Sequence, residues 1–249
     1  EEGEVYYRGA HEILHRHRLV LDEIRRLREQ VAGDVRVASI YSVGLHTVRP
    51  QIERFMRENP GTVVRLEYHH PDQVYEAVLN DEAEIGVTSY PKSRQGITVV
   101  PWLDEEMVVV AGPAHPLSRR SHGRDAVSLQ PSDLADGAFV GFVPDLPIRR
   151  HIDRGLRRYR VNVELVSEFD NIDTIKQAVE LSEAISIRPR TSIALEVGRG
   201  SLVVLPVDIE LRRPVGIIRK KRKRLTHTAA RFVESLLRGR KTVGVSRAP

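Results

Sequence analysis

Cysteine is absent from all 249 residues, which excludes disulfides, thiolate metal sites and a cysteine nucleophile. No run of 18 or more apolar residues occurs, and the N-terminus lacks a charged stretch followed by an apolar one. A membrane span and a secretory signal are therefore excluded from the sequence as given, and a cytoplasmic setting is expected. The ten histidines show no HExxH or other metal-ligand spacing. His69 and His70 are adjacent, so in a strand they point to opposite faces. Neither a GxSxG elbow nor a GxxxxGK[ST] phosphate loop is present. These absences leave no enzyme signature, no metal site and no expected cofactor.

What is there is ordinary for a globular chain. Hydrophobic residues make up 41% and charged residues 29%, enough for a packed core. The length suits one large domain or two small ones. A net charge of +5 invites a nucleic-acid reading, but its location argues otherwise. Between Asp208 and Pro249 there are 13 Lys and Arg against 3 Asp and Glu, which leaves the main body mildly acidic. The Arg219-Lys-Lys-Arg-Lys-Arg224 run has no interleaved aromatics and lies between a strand and the last helix. A solvated loop explains it better than a nucleic-acid contact or a localisation signal.

The N-terminal stretch carries the cleanest periodicity. Tyr6, Ala10, Ile13, His17, Val20, Ile24, Leu27 and Val31 are spaced alternately by four and three, with Leu14 and Leu21 broadening the stripe. Such a seam fits either an amphipathic helix packed on its own domain or a helix that pairs with another chain. A narrow stripe flanked by Glu12, Arg16, Arg18, Asp22, Glu23, Arg25, Arg26 and Arg28 favours pairing. The dimerisation candidates are Ala10, Ile13, His17, Val20, Ile24 and Leu27. Gly33-Asp34 is expected to end the helix.

After the break, strands and helices alternate. Strands are expected at 35–40, 62–68 and 84–89, with helices at 47–58 and from Pro71. This βαβαβ order implies a mostly parallel sheet with right-handed crossovers. Strands at 107–111, 138–143, 161–169, 185–187 and 202–207, with helices at 147–159 and 172–181, form a second α/β module. A strand at 215–219 and a helix at 226–238 can rejoin the first, giving two crossings and a cleft at the carboxyl ends of the strands. The expected division is 1–32 for a linker and dimerisation helix, 33–100 with 208–242 for the first subdomain, 101–207 for the second, and 243–249 for a tail.

Four strand-to-helix corners carry the polar chemistry. Ser39-Ile-Tyr-Ser-Val-Gly44 sets hydroxyls beside free helix N–H groups, which suits an anion or a simple helix cap. Ser89-Tyr90-Pro91 fits a cleft wall or a turn. Phe142-Val-Pro-Asp145 precedes a helix. In Phe169-Asp-Asn-Ile-Asp-Thr174, Asp170 with Asp173 reads as a capping box, leaving Asn171 and Thr174 to face a ligand. The candidate contacts are Ser39, Tyr41, Ser42, Ser89, Asn171 and Thr174, with Phe142 and Val143 lining the wall.

In order and spacing these pieces resemble the LysR-type transcriptional regulators from Glu1 to about Arg240. Glu2-Gly-Glu-Val-Tyr-Tyr7 resembles the start of the family's linker helix, and Gly33-Asp-Val-Arg-Val-Ala38 the first strand of its effector-binding domain. Phe55 through Asn59-Pro60, Asp81-Glu-Ala-Glu-Ile-Gly86, His115-Pro-Leu117 and Leu225-Thr-His-Thr-Ala-Ala230 with Phe232 match further family elements. The family's Gly-x-Gly-Ile-x-x-Leu-Pro stands here as Ser182-Glu-Ala-Ile-Ser-Ile-Arg-Pro189, without either glycine and with Arg188 in place of Leu. The family's winged helix-turn-helix is not in the sequence, which reads as a fragment of a longer protein.

The resemblance implies a type 2 periplasmic-binding-protein-like fold: two Rossmann-like α/β subdomains, a ligand cleft, two crossovers and a long N-terminal linker helix. It implies the effector-sensing and oligomerisation region of a bacterial regulator, with a small effector between the subdomains. Helix N-termini and hydroxyls at the corners make that effector an anion. The implied partners are a homodimer or homotetramer and promoter DNA through the N-terminal domain, with no membrane. The competing reading is a solute-binding protein of a transport system, which shares the cleft architecture but has no need of a dimer helix. An enzyme with an acid/base pair in the cleft is the third.

Overall fold

A computed structural model describes residues 1–27, 31–121 and 127–239. The chain opens with helix α1, Glu2–Leu27, whose first turn carries Glu2 and Glu4 against the positive end of the helix dipole. The chain divides into two compact units. The first contains α1, the chain up to Leu103 and the chain from Pro214 onward; the second runs from Asp104 to Arg213. The chain passes from one unit to the other inside two strands, β4 (Ile97–Ala111) and β9 (Leu211–Lys220).

In the first unit, β1 (Gly33–Ile40) pairs in parallel with β2 (Thr62–His69) and β3 (Ile85–Ser89), and β9 runs antiparallel to β3. β1 already begins at Gly33, so that residue starts the strand rather than closing α1. Val31 also leaves the heptad seam and packs against the core of this unit.

From Tyr41 to Glu58 the chain is helical, in three pieces: α2 (Tyr41–Val43), a π turn at Gly44–Val48, and α3 (Arg49–Glu58). The expected start at Thr47 is thus six residues late, because no glycine or proline separates β1 from its helix. Gly44 is required by close approach: a Cβ there would lie 2.7 Å from the Tyr68 ring. Helix α4 (Pro71–Leu79) follows β2, and α9 (His227–Arg238), capped by the Thr226 hydroxyl, packs on α3 and β1.

The core of this unit is aliphatic, built from Val35, Val37, Val74, Val78, Ile85, Val87, Ile217 and Ile218. Each such side chain contributes about 1.5–3 kcal/mol on burial. Phe55 and Phe232 meet edge to face at 5.1 Å, and the buried Trp102 indole N–H donates to the Leu236 carbonyl at 2.8 Å.

In the second unit, β7 (Ile185–Pro189) lies antiparallel to β4 and parallel to β5 (Ala138–Phe142), and β5 pairs in parallel with β6 (Glu164–Phe169). A short strand, β8 (Val203–Leu205), also pairs with β4. Helix α5 (Pro116–Ser121) is started by His115, whose Nδ1 accepts from the Leu117 amide at 3.1 Å. Burial lowers the His115 pKa, which favours the neutral ring this bond needs. Helices α6 (Pro147–Arg158) and α7 (Ile172–Glu180) bury Ile148, Ile152, Leu156, Ile172, Ile175 and Val179, and α8 (Ala194–Arg199) follows β7. Among the described residues, no helix is long and apolar enough to cross a membrane.

Candidate functional site

In the first unit, the register pairs Ser39 of β1 with Val87 of β3, so Tyr41, Ser42 and Ser89 follow together at the carboxyl ends of parallel strands. Ser39 is buried, its hydroxyl donating to the Ile40 and Val87 carbonyls at 3.1 and 3.2 Å. That anchors the β1–β3 edge from within. Ser42 is half-buried in the first helical turn, while Ser89 is buried. Tyr41 is exposed, its ring 5.3 Å from that of Tyr68, which itself crosses Gly44. Sequence reasoning missed Tyr68, because only the parallel register sets it opposite Ser39. Tyr90 takes a left-handed backbone, φ 50°, with its amide bonded to the Pro214 carbonyl at 2.8 Å. This local strain re-aims the chain after β3.

In the second unit, the Val143 amide donates to the Phe169 carbonyl at 3.1 Å, joining the ends of β5 and β6. Phe142 is buried, Val143 and Asn171 are half-buried, and Thr174 is exposed on the first turn of α7. The cap of that helix is Asn171, whose Oδ1 accepts from the Asp173 amide at 2.7 Å, rather than the expected Asp170. A residue one position closer to the helix has the shorter reach to a free amide. Asp173 instead pairs with Lys176 at 2.6 Å, and Lys176 also holds Glu196 at 2.8 Å.

Two buried arginines complete this unit. Arg213 meets Glu105 with Nη2 at 2.5 Å and Nε at 2.7 Å, and Glu105 also accepts from the Thr191 hydroxyl at 3.2 Å. Both charges are nearly fully buried. Arg188 lies in β7 opposite Val108, wholly buried, with one Nη2 bond to the Ile172 carbonyl and its guanidinium 6.0 Å from the Phe142 ring. Burial draws its pKa down to about 9, so it stays charged at neutral pH. The Glu105–Arg213 pairing spans more than a hundred residues and carried no local signal. Arg188 did stand out, as the departure from the family's Leu.

The face of α1 splits by periodicity. Tyr6 (80% exposed), Ile13 (72%), His17, Val20 and Ile24 are open, together with Leu14 and Leu21, and Ala10 is half-buried. The Leu27 side chain lies outside the described residues. The opposite face, with Tyr7, His11 and Glu12, borders a groove of about 670 Å³ completed by Leu79, Asn80, Asp81, Glu82 and Lys220. One turn on, the His15 pKa is pulled down to about 4, chiefly by burial and then by Lys223; Arg18 and Arg36 act the same way, and Asp81 opposes them. Asp81 is held by Lys220 at 2.8 Å and Lys223 at 2.7 Å. Among the described residues, no three His, Asp or Glu side chains gather as a metal site.

Residues 28–241 match the LysR substrate binding domain. The chain belongs to this LysR family. Among its relatives, the uncharacterized HTH-type transcriptional regulator YeiE of Escherichia coli K12 is 26% identical over 214 residues, covering 85% of this chain and 70% of that protein. Among solved structures, the Synechocystis PCC6803 CcmR regulatory domain in complex with 2-PG superposes with a TM-score of 0.72 at 24% identity, covering 84% of this chain and 98% of that one. The effector binding domain of QuiR in complex with shikimate gives 0.70 at 20% identity, covering 85% and 98%. These solved structures share the fold, and the family match with the YeiE relative favours the regulator over the transport reading.

Proposed function

We propose that this chain is the effector-sensing and oligomerisation region of a cytoplasmic LysR-type transcriptional regulator. It acts as a binding module, and promoter DNA is the partner of the whole regulator. The observation that carries this reading is the match of residues 28–241 to the LysR substrate binding domain, on a fold whose strand-end corners bear hydroxyls, an amide cap and helix starts. The effector is a small anion; its candidate contacts in the first unit are Ser42, Tyr41 and Ser89, with Ser39 holding the β1–β3 edge. Asn171, Thr174, Phe142 and Val143 are the candidates in the second unit, each set within its own unit. CcmR with 2-PG and QuiR with shikimate support a small organic ligand. Such a ligand shifts the regulator only by preferring one arrangement of it.

The test is thermal unfolding against a panel of small anions that includes 2-PG and shikimate, run beside Ser42→Ala. A ligand bound only by the native state, at a hundred times its Kd, adds about 2.7 kcal/mol and raises the midpoint. The reading expects such a rise for at least one compound and a weaker one in the variant. An unchanged midpoint across the whole panel overturns the anion assignment.

A further inference from the structure

Arg188 has a buried guanidinium with donors to spare. Its Nη2 reaches the Ile172 carbonyl, but Nε and Nη1 have no acceptor among the described residues. The two carboxylates that act on it, Asp173 and Glu196, are already in contact with another cation. Asp173 and Glu196 both sit on Lys176 Nζ, at 2.6 and 2.8 Å, and Glu105 is bonded to Arg213 and Thr191. Asp173 and Glu196 act on Arg188 only through their longer-range field, which Arg213 opposes. The Phe142 face, at 6.0 Å, supplies a weak cation–π contact. A buried cation left this way is costly, because desolvation is offset by one hydrogen bond and by no direct ion pair.

Its placement gives the imbalance a use. β7 and β5 are parallel, so Arg188 and Phe142 both stand near the carboxyl ends of their strands, beside the start of α7. The carbonyl that Arg188 touches belongs to the first residue of that helix, and neighbouring Thr174 is exposed. Cation and helix N-terminus therefore favour the same sign of guest. An aliphatic side chain at this position of β7 would fill the space and demand nothing.

We propose that Arg188 is the anchor for the acidic group of the effector, whose oxygens take the unused Nε and Nη1 donors at the start of α7. The inference rests on the effector-binding reading above. It makes Arg188 the residue that selects oxyanionic ligands, carboxylate, sulfate or phosphate, over neutral ones. The guest supplies the acceptors that the fold withholds, so the ligand-free protein carries a cost that binding removes.

The experiment measures thermal midpoints of the chain and of Arg188→Leu and Arg188→Lys. The probes are sodium malonate, benzoate, sulfate and inorganic phosphate at constant ionic strength, with a neutral panel of sugars and amides alongside. The proposal expects at least one oxyanion to raise the native midpoint. That rise should vanish in Arg188→Leu and persist in part in Arg188→Lys. Without probe, Arg188→Leu should be as stable as the native chain or more so. The organic and inorganic arms show which acidic group is taken. An oxyanion shift that survives in Arg188→Leu overturns the anchor while leaving effector binding intact. So does a large probe-free loss of stability in Arg188→Leu that Lys restores, since that marks a structural arginine. If only neutral compounds shift the native chain, the anchor and the anion assignment both fail, while effector binding itself stands.

Discussion

At the residue scale, the second unit is held by polar groups whose partners are distant in sequence. Glu105 and Arg213 are nearly fully buried and bonded to each other, so removing one leaves the other as an uncompensated charge. Glu105→Ala should cost roughly 3–5 kcal/mol, read as a lowered urea midpoint. A loss below about 1 kcal/mol would show that Arg213 is hydrated or finds another anion. Asn171→Ala should cost about 1 kcal/mol, the usual value of a lost helix cap, because Asn171 Oδ1 holds the Asp173 amide. Asp170→Ala serves as the control and should leave the midpoint nearly unchanged; a reversal of the two would return the cap to Asp170. None of these partners was readable in advance. Charge pairs across a hundred residues leave no periodic trace, and a cap moves by one position with a small change in the preceding strand.

At the scale of elements, α1 divides its faces between its own unit and the outside. His15 sits on the inner face with a pKa pulled to about 4 by burial and by Lys223, Arg18 and Arg36. The unfolded chain takes up its proton near the ordinary 6.5. Between about 6.5 and about 4 the unfolded state therefore binds more protons, and stability falls as pH falls. His115 and His151 are also lowered by burial and act with the same sign. Urea midpoints should fall from pH 7.5 to pH 5, and His15→Gln should flatten part of that slope. An identical slope in the variant would mean that α1 leaves the unit before His15 matters. The helix was legible from its heptads and most strands from their apolar runs, but the Ile97–Glu106 half of β4, broken by Pro101 and charged residues, was not. The π turn after β1 was not, because it depends on the Tyr68 ring lying over Gly44.

At the scale of the molecule, the open stripe of α1 is the surface on which the proposed pairing of two copies rests. Tyr6, Ile13, Val20 and Ile24 expose an apolar seam that the other described residues leave open. If this seam pairs two copies, Ile13→Glu with Val20→Glu should halve the mass in light scattering and leave the thermal midpoint of the α/β units in place. A mass unchanged by the double substitution would remove α1 from the interface. Such charges are costly only where the stripe is buried by a partner, so the two outcomes separate cleanly.

The order of strands and helices, the heptad seam, the family and the absence of cysteine chemistry were all determined by the sequence itself. These are properties of spacing and composition, and spacing survives without knowledge of contacts. The tertiary structure decided which polar groups share an environment. It set Tyr68 beside Tyr41, paired Glu105 with Arg213, and left Arg188 buried with donors unused. Hydrogen bonds and ion pairs are satisfied in space, between strands that the chain reaches by different routes. Their energies depend on burial that no single segment fixes, so the place where an anion is wanted emerges only once the sheet has formed.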